Sequence, residues 1–381
     1  CKHLCVIGVS GTSGKTSVAC IITHILRKQQ KKTFRIGTHE VDDNQHIQAI
    51  PNTTPDSFTL ANLLKEAIQQ GFTHIVMEVS SHAIDQNRIC FMSYDAIVYT
   101  NITQDHLDYH FTRTHYMYTK FKLRRYLKKD GFIIINKDFP YLMKLQHLSD
   151  AKLITIGFDA AHFTIEDMHL SEQGAIFTIN GYSFVIPLLG KMNVYNTTEA
   201  IALCHMLNIT YEQLIASCQD LPYVSGRMEL MKGKKHTVLL DYAHTPDAVE
   251  KLMEFARSIC QGKLYIVVGC GGERDRSKRK LMADAACKYS DMAIFTSDNP
   301  RHESLSTILL DMCKTTYQNY EVVENRYFAI KYTIKIAKES DIIVIAGKGN
   351  EKTQDVEGRM YPFDDADCVR KRFAKEELFW K

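Results

Sequence analysis

The chain lacks the features that would direct it to a membrane, a nucleic acid or an oxidising compartment. No apolar run approaches the roughly 20 residues that a membrane helix needs, so membrane insertion is not expected. Its 47 basic and 44 acidic residues leave a net charge of only +3, which gives no electrostatic footprint for nucleic acid. The eleven cysteines are scattered and form no C-x-x-C pair. An odd, dispersed set implies reduced thiols in a cytoplasmic protein rather than a disulfide framework or a zinc site. No signal peptide, internal repeat or low-complexity tract is visible. The sequence opens at Cys1 without an initiator methionine and almost inside a strand, so an upstream segment is expected to have been removed.

Against these absences stands the stretch Val6-Ile7-Gly8-Val9-Ser10-Gly11-Thr12-Ser13-Gly14-Lys15-Thr16. The apolar run 4–9 reads as a buried parallel strand, and a helical pattern runs from about Thr16 to Gln30. Strand, glycine turn and helix in that order form a phosphate-binding loop. Backbone N–H groups of Gly11, Thr12, Ser13 and Gly14 would close on phosphate oxygens, aided by the positive end of the helix. Lys15 would reach the terminal phosphates and the Thr16 hydroxyl a magnesium ion. Gly8 lies one residue earlier than the general pattern places its first glycine. A chance glycine turn is the competing reading.

At 381 residues the chain can hold two or three domains. Apolar runs alternate with helical patterns throughout, which predicts an α/β protein. Strands are expected at 32–37, 74–79, 94–102 and 132–136, with a polar loop from 38 to Pro55. Helices are expected at 56–70, capped by Asp56, and at 114–129. A small antiparallel sheet is predicted over 153–187, then helices at 193–207 and 211–219. After a linker at 222–226, strands near 237–241, 264–268, 293–296, 320–323 and 342–346 alternate with helices, and a basic helix closes the chain. The division predicted is 1–222, a central P-loop ATPase-type mixed-sheet domain, and 223–381, a Rossmann-like α/β domain.

Several stretches together resemble the Mur ligases of peptidoglycan synthesis. They are the glycine loop, Asn52-Thr53-Thr54-Pro55-Asp56, Glu78-Val79-Ser80-Ser81-His82-Ala83, and Asp105-His106-Leu107-Asp108-Tyr109-His110. Asn193-Val194-Tyr195-Asn196, Gly226-Arg227 and Asp241-Tyr242-Ala243-His244-Thr245-Pro246-Asp247 continue the series in the same order. The resemblance covers nearly the whole chain and is nearest to the branch that adds the third stem-peptide residue. It implies an ATP-dependent amide ligase in which a carboxylate attacks the γ-phosphate and an amine then displaces phosphate from the acyl phosphate. Magnesium and lysine would neutralise charge on the transferring group.

Residue by residue, the resemblance makes Lys15, Lys120 and His106 catalytic. It gives two magnesium ions to Thr16, Glu78, His106 and Lys120, the last carbamylated so that its ammonium becomes carboxylate-like. Read alone, Glu78 is as well a solvated strand terminus, His106 a structural histidine and Lys120 a surface lysine. Asn196, Arg227 and Asp241 would join the glycine loop around the nucleotide. Asn52, Thr53, Thr54, Ser80 and Arg88 match positions that bind the UDP-MurNAc-dipeptide acceptor.

The tetrapeptide Asp298-Asn299-Pro300-Arg301 resembles the one associated with meso-diaminopimelate. An arginine fork can pair with the far carboxylate that diaminopimelate has and lysine lacks. Arg274, Gly347 and Glu351 match its partners, with Glu351 accepting from the far ammonium. Ser13 stands where the family's loop usually has asparagine, and Asn350 where Gly-Lys-Gly-His-Glu has histidine. The family's N-terminal uridine-binding domain has no counterpart in the sequence given. The function expected is addition of meso-diaminopimelate to UDP-MurNAc-L-Ala-D-Glu by a monomeric cytoplasmic enzyme. The alternatives are a Mur-like ligase acting on another small carboxylate, as folylpolyglutamate synthetases do, and a non-catalytic nucleotide-binding relative.

Overall fold

The computed structural model describes residues 4–38, 40–148, 151–233 and 235–378, with side chains described through residue 374. The opening residue Cys1 lies outside them. The chain divides into two compact units: Cys1–Thr103 with Thr112–Pro222, and Gln104–Phe111 with Tyr223–Lys381. The segment Gln104–Phe111 thus groups with the second unit although it lies within residues 1–222 in chain order.

Among the described residues the first unit's sheet has eleven strands. They are β1 (Cys5–Ser10), β2 (Thr33–Gly37), β3 (Glu40–Asp42), β4 (Ile47–Ala49), β5 (His74–Glu78) and β6 (Tyr94–Tyr99). β7 (Leu127–Asn136), β8 (Lys152–Gly157), β9 (Phe163–Ser171), β10 (Gly174–Ile179) and β11 (Tyr182–Ile186) follow. Their order is β11-β10-β9-β8-β7-β6-β1-β5-β2-β3-β4. β1 lies between β5 and β6, parallel to both. Being covered on both faces, these strands read as continuous apolar runs rather than alternating ones. Ile7 and Val9 face the core that α1 (Lys15–Lys28) completes, whereas Val6 faces the core shared with α2 (Ser57–Gln69). Asp56 caps α2 as expected, accepting from the N–H groups of Phe58 and Thr59.

Three expectations change. The polar loop before Pro55 carries the short antiparallel strands β3 and β4, joined by a turn in which Asp43 accepts from the Gln45 and His46 N–H groups. The helix expected over 114–129 stops early, as α5 (Arg113–Phe121) and a 3-10 turn (Lys122–Tyr126). Leu127 already pairs with Tyr94, and Lys128 reaches the Asp95 carboxylate at 2.7 Å across the strands, so tertiary pairing overrides the helical period. The predicted small antiparallel sheet is the outer part of the large one. β8 pairs parallel with β7, while β9, β10 and β11 form antiparallel hairpins on its far side. Asn180 and Gly181, both at positive φ, make the tight turn between β10 and β11. α3 (Ser81–Asp85), α6 (Gly190–Met206) and α7 (Tyr211–Cys218) complete the unit.

The second unit holds α4 (Leu107–His110) and a six-stranded sheet of β12 (Glu229–Lys232), β13 (Thr237–Asp241), β14 (Leu264–Val268), β15 (Met292–Phe295), β16 (Tyr320–Val322) and β17 (Ile342–Ala346). The order is β12-β13-β17-β14-β15-β16, with β12 the antiparallel edge. Between and after them lie α8 (Pro246–Ile259), α9 (Ser277–Tyr289), α10 (Leu305–Met312), α11 (Arg326–Ile336), the hairpin β18 (Thr353–Val356) and β19 (Arg359–Pro362), and α12 (Asp365–Leu378). The carboxyl ends of β13, β17, β14 and β15 are neighbours, the place where open α/β sheets bind ligands. β12 and the β18–β19 hairpin carry no strong apolar alternation and were not expected.

A buried ion pair ties α11 to α12. Arg326 is fully buried, pairs with both Asp365 carboxylate oxygens at 2.9 and 2.7 Å, and donates to the Ala346 carbonyl at the end of β17. Removing one partner strands the other charge in the interior, a loss of about 3–5 kcal/mol. Asp365→Ala should therefore lower the denaturation midpoint of the second unit strongly in a urea titration. Asp365→Leu combined with Arg326→Met should recover most of the loss.

Candidate active site

In the first unit the glycine loop leaves β1 at Ser10 and enters α1 at Lys15. Its shape is forced by what surrounds it. A Cβ on Gly11 would lie 1.9 Å from the Thr100 hydroxyl oxygen, and one on Gly14 would lie 2.6 Å from Asn196 Oδ1. Gly14 also takes φ +81° as the residue that opens the helix. The end of β6 braces the loop from the side. Thr12 N–H donates to the Asn101 carbonyl, Ser13 N–H to Asn101 Oδ1 at 3.0 Å, and the Thr100 hydroxyl to the Ser13 carbonyl at 2.6 Å. Lys15 folds over the loop, its Nζ donating to the carbonyls of Gly11 and Thr12 at 3.0 and 2.9 Å.

Lys120 approaches the same loop from α5. It is buried, and its Nζ donates to the Gly11 carbonyl at 2.8 Å while lying 4.9 Å from the centre of the Tyr116 ring. The Tyr116 hydroxyl lies 3.1 Å from the Thr12 hydroxyl. The surface-lysine reading of Lys120 is therefore excluded.

Glu78, at the carboxyl end of β5, has no exposed surface. Its Oε2 accepts from the Thr16 and Thr38 hydroxyls at 3.1 and 2.9 Å, and its Oε1 from Thr38 N–H at 2.9 Å. The Thr53 hydroxyl lies 3.3 Å from that of Thr38. A buried carboxylate with converging hydroxyls is a hard oxygen donor set that suits Mg2+. Thr54 fastens the acceptor loop to this strand end, its hydroxyl donating to the Glu78 carbonyl at 2.9 Å and accepting from Ser80 N–H at 3.0 Å. Ser80 caps α3, and Arg88 donates to the Thr54 carbonyl and to Gln86. Asn52 is exposed beside them.

The second unit carries the remaining predicted residues. His106 adopts a left-handed backbone, φ 53°, at the start of α4, and its Nε2 lies 3.4 Å from Asp105 Oδ2. His244 and Lys278 approach the same buried carboxylate, each at 3.5 Å. Burial opposes ionisation of Asp105, but His106, His244 and Lys278 outweigh it and hold the carboxyl well below the usual carboxylate range. At the end of β13, Asp241 accepts from Met228 N–H and Ala243 N–H at 2.8 and 2.7 Å. Burial pushes its pKa up, against the pull of Arg227 and those backbone donors. The Arg227 guanidinium stacks over the Tyr242 ring at 4.3 Å.

The tetrapeptide Asp298–Arg301 is knotted to the turn after β17. Lys348, fully buried, donates to Asn299 Oδ1 at 3.0 Å and to Glu351 Oε2 at 2.8 Å. Asn299 Nδ2 donates to the same Glu351 oxygen at 2.9 Å. A Cβ on Gly347, at φ +114°, would meet Asp298 Oδ2 at 2.7 Å. Arg301 and Arg274 flank Gly271, where an added Cβ would lie 3.0 Å from Arg301 Nη1 and 3.5 Å from Arg274 Cγ. Arg301 holds φ +55°, a conformation costing a non-glycine residue about 1–3 kcal/mol. Sequence reasoning missed Thr38, Thr100 and Lys348 as site residues. Thr38 and Thr100 directly follow β2 and β6, and Lys348 lies two residues beyond β17, so position at a strand's carboxyl end was the available signal.

A glycine loop at a parallel strand end, braced by a lysine and a carboxylate, defines a phosphate-handling α/β site. Residues 9–204 match the Mur ligase middle domain, and residues 226–349 match the domain described as Mur ligase, glutamate ligase domain. The chain belongs to the Mur ligase family of ATP-dependent amide ligases, whose members use ATP and Mg2+. It is 38% identical over 377 residues to a UDP-N-acetylmuramoyl-L-alanyl-D-glutamate–2,6-diaminopimelate ligase of Bacillus cereus, covering 96% of this chain and 77% of that one. The enzyme of the same name from Geobacillus kaustophilus is also 38% identical, with 97% and 78% covered. A solved structure of such a ligase is 32% identical with a TM-score of 0.67, over 98% of this chain and 79% of that one. Among the described residues no helix is long and apolar enough to cross a membrane.

The tight seat of Gly14 gives a direct check on the loop. Gly14→Ala should abolish ATP binding by equilibrium dialysis while leaving the fold intact.

Proposed function

We propose that this chain is a MurE-type ligase, joining meso-diaminopimelate to UDP-MurNAc-L-Ala-D-Glu at the expense of ATP. One observation supports the choice of amino acid above all: Arg301 stands beside the Asn299–Lys348–Glu351 knot, with the stem of Arg274 against the same glycine, Gly271. A guanidinium beside carboxylates suits the far end of an amino acid that carries both charges. The relatives named for this reaction point the same way.

In this reading the loop N–H groups of Gly11 to Gly14 hold phosphate oxygens, and Lys15 turns from the loop carbonyls to the terminal phosphate. Thr16 and Glu78 hold Mg2+, which when bound supplies neutralisation of the transferring phosphoryl charge. His106 is proposed as a further magnesium ligand. Asn196, Arg227 and Asp241 contact the nucleotide, and Asn52, Thr53, Thr54, Ser80 and Arg88 the acceptor. Lys120 is proposed to act as its carbamate. A carbamate would retain one N–H for the bond to the Gly11 carbonyl and would supply a carboxylate-like oxygen donor for a second Mg2+. Gly347 lets the Asp298 carboxylate pack against the turn after β17, beside the proposed amino-acid site.

Phosphate release that requires both meso-diaminopimelate and UDP-MurNAc-L-Ala-D-Glu tests the reading, and preference for lysine in the same assay would overturn its amino-acid part. Loss of a charged hydrogen bond is worth about 1.5–3 kcal/mol, so Arg301→Ala should raise KM for diaminopimelate roughly tenfold or more. Lys120→Ala should lose most activity and regain part of it with added acetate or another short acid. Near-normal turnover of the variant without added acid would remove Lys120 from the metal site.

A further inference from the structure

We propose that Asp355 is a specificity-determining residue of the amino-acid site, accepting the far ammonium of a diamino acid whose far carboxylate pairs with Arg301. The inference rests on the amino-acid site proposed above and assigns a residue outside the set already given to it.

Asp355 lies in β18, and that strand is built onto Arg301. Arg301 N–H donates to the Asp355 carbonyl at 3.1 Å, and Glu357 N–H donates back to the Arg301 carbonyl at 2.8 Å. Asp355 N–H in turn donates to Asn299 Oδ1 at 3.0 Å. The backbone of Asp355 is therefore fixed to the tetrapeptide on both sides. Its side chain follows, with Oδ2 4.0 Å from Arg301 Nε. Its other oxygen, Oδ1, is buried and has no hydrogen-bond partner among the described residues. Buried carboxylate oxygens are normally satisfied, and one left open beside a substrate-facing arginine asks for a donor brought by the ligand.

The neighbouring carboxylates are already engaged. Glu351 accepts from Lys348 and Asn299 on Oε2 and faces the Tyr242 hydroxyl at 3.4 Å on Oε1. Asp298 Oδ1 accepts from Asn299 N–H at 2.7 Å, and its Oδ2 packs against Gly347. Asp355 is thus the acid of the three with an oxygen that no donor among the described residues meets, and it would add to the acceptor already expected in Glu351. A cation and an anion about one amino-acid head apart match a ligand carbon bearing both an ammonium and a carboxylate. A plain far carboxylate would satisfy Arg301 and leave Asp355 unmet; a plain far ammonium would do the reverse.

Asp355→Asn keeps the shape and the backbone pairing while removing the charge. Steady-state kinetics of this variant and the wild type should be compared with meso-diaminopimelate, with 2-aminopimelate, which lacks the far ammonium, and with lysine, which lacks the far carboxylate. We expect KM for diaminopimelate to rise tenfold or more with kcat within about twofold, and KM for 2-aminopimelate to stay unchanged. A purely structural role would weaken both ligands alike, and that result, or no change in either, would overturn the assignment. Should wild type take lysine and the variant lose it, the diaminopimelate reading fails while Asp355 stands as the ammonium acceptor. Asp355→Ser, which also keeps the backbone bonds, gives the same comparison if the asparagine variant does not fold.

Discussion

The first unit is arranged around a carboxylate that water does not reach. Burying a charge is costly unless donors meet it, and the Glu78 carboxylate draws its donors from two separate pieces of chain. Thr16 lies in the first turn of α1 and Thr38 follows β2, while Thr54 bonds the backbone carbonyl of Glu78. Gly37 has to be a glycine here, because a Cβ would lie 2.6 Å from Glu78 Oε1. The same demand that fixes the acid therefore aligns the ends of β2 and β5 and seats the acceptor loop. The hydrogen-bond donors that meet it are hydroxyl and amide groups without charge. Oxygen donors gathered around a carboxylate in this way suit a hard divalent cation.

The second unit meets a different demand with a different device. Its site is organised by Asn299, whose amide accepts from Lys348 and Asp355 N–H and donates to Glu351. One neutral side chain thus sets the spacing of an ammonium and a carboxylate and anchors the strand carrying another carboxylate. Alternating charges at fixed spacing suit a zwitterion, as converging oxygens suit a metal ion. Behind this surface Arg326 holds the Ala346 carbonyl at the end of β17, which helps fix the turn after that strand.

How much of this was legible depends on whether the cause was local. The glycine loop, α1 and the Asp56 cap are set by residues within one turn of each other, and they stand where the pattern put them. The strand ends carrying Glu78 and Asp241 were legible because parallel strands covered on both faces read as apolar runs that stop abruptly. Lys120 was not legible from its own helix, since its bond to Gly11 spans 109 residues. The same holds for Thr100 and Asn101 bracing the loop, and for Asp355, whose meaning depends on a strand paired to Arg301. The helix expected over 114–129 failed for a similar reason: the Asp95–Lys128 contact lies across two strands and leaves no trace in a helical period.

Two of the candidate residues break the local backbone preference. His106 and Arg301 are both left-handed without being glycine or asparagine. Such conformations persist only where neighbouring bonds determine them. At Arg301 these are the two backbone bonds to β18 and the 2.7 Å bond from its guanidinium to the Gly272 carbonyl. At His106 they are the N–H donated to Asp105 and the carbonyl accepting from His110 N–H as α4 begins. In each case the strained residue has a charged or ionisable side chain, its backbone fixed at His106 by the Asp105 carboxylate and at Arg301 by the main chain of Asp355 and Glu357. A relaxed backbone would aim those side chains elsewhere, so the strain is the means by which the fold points them. Local rules fail here because the direction of a side chain has been given precedence over the comfort of its own main chain.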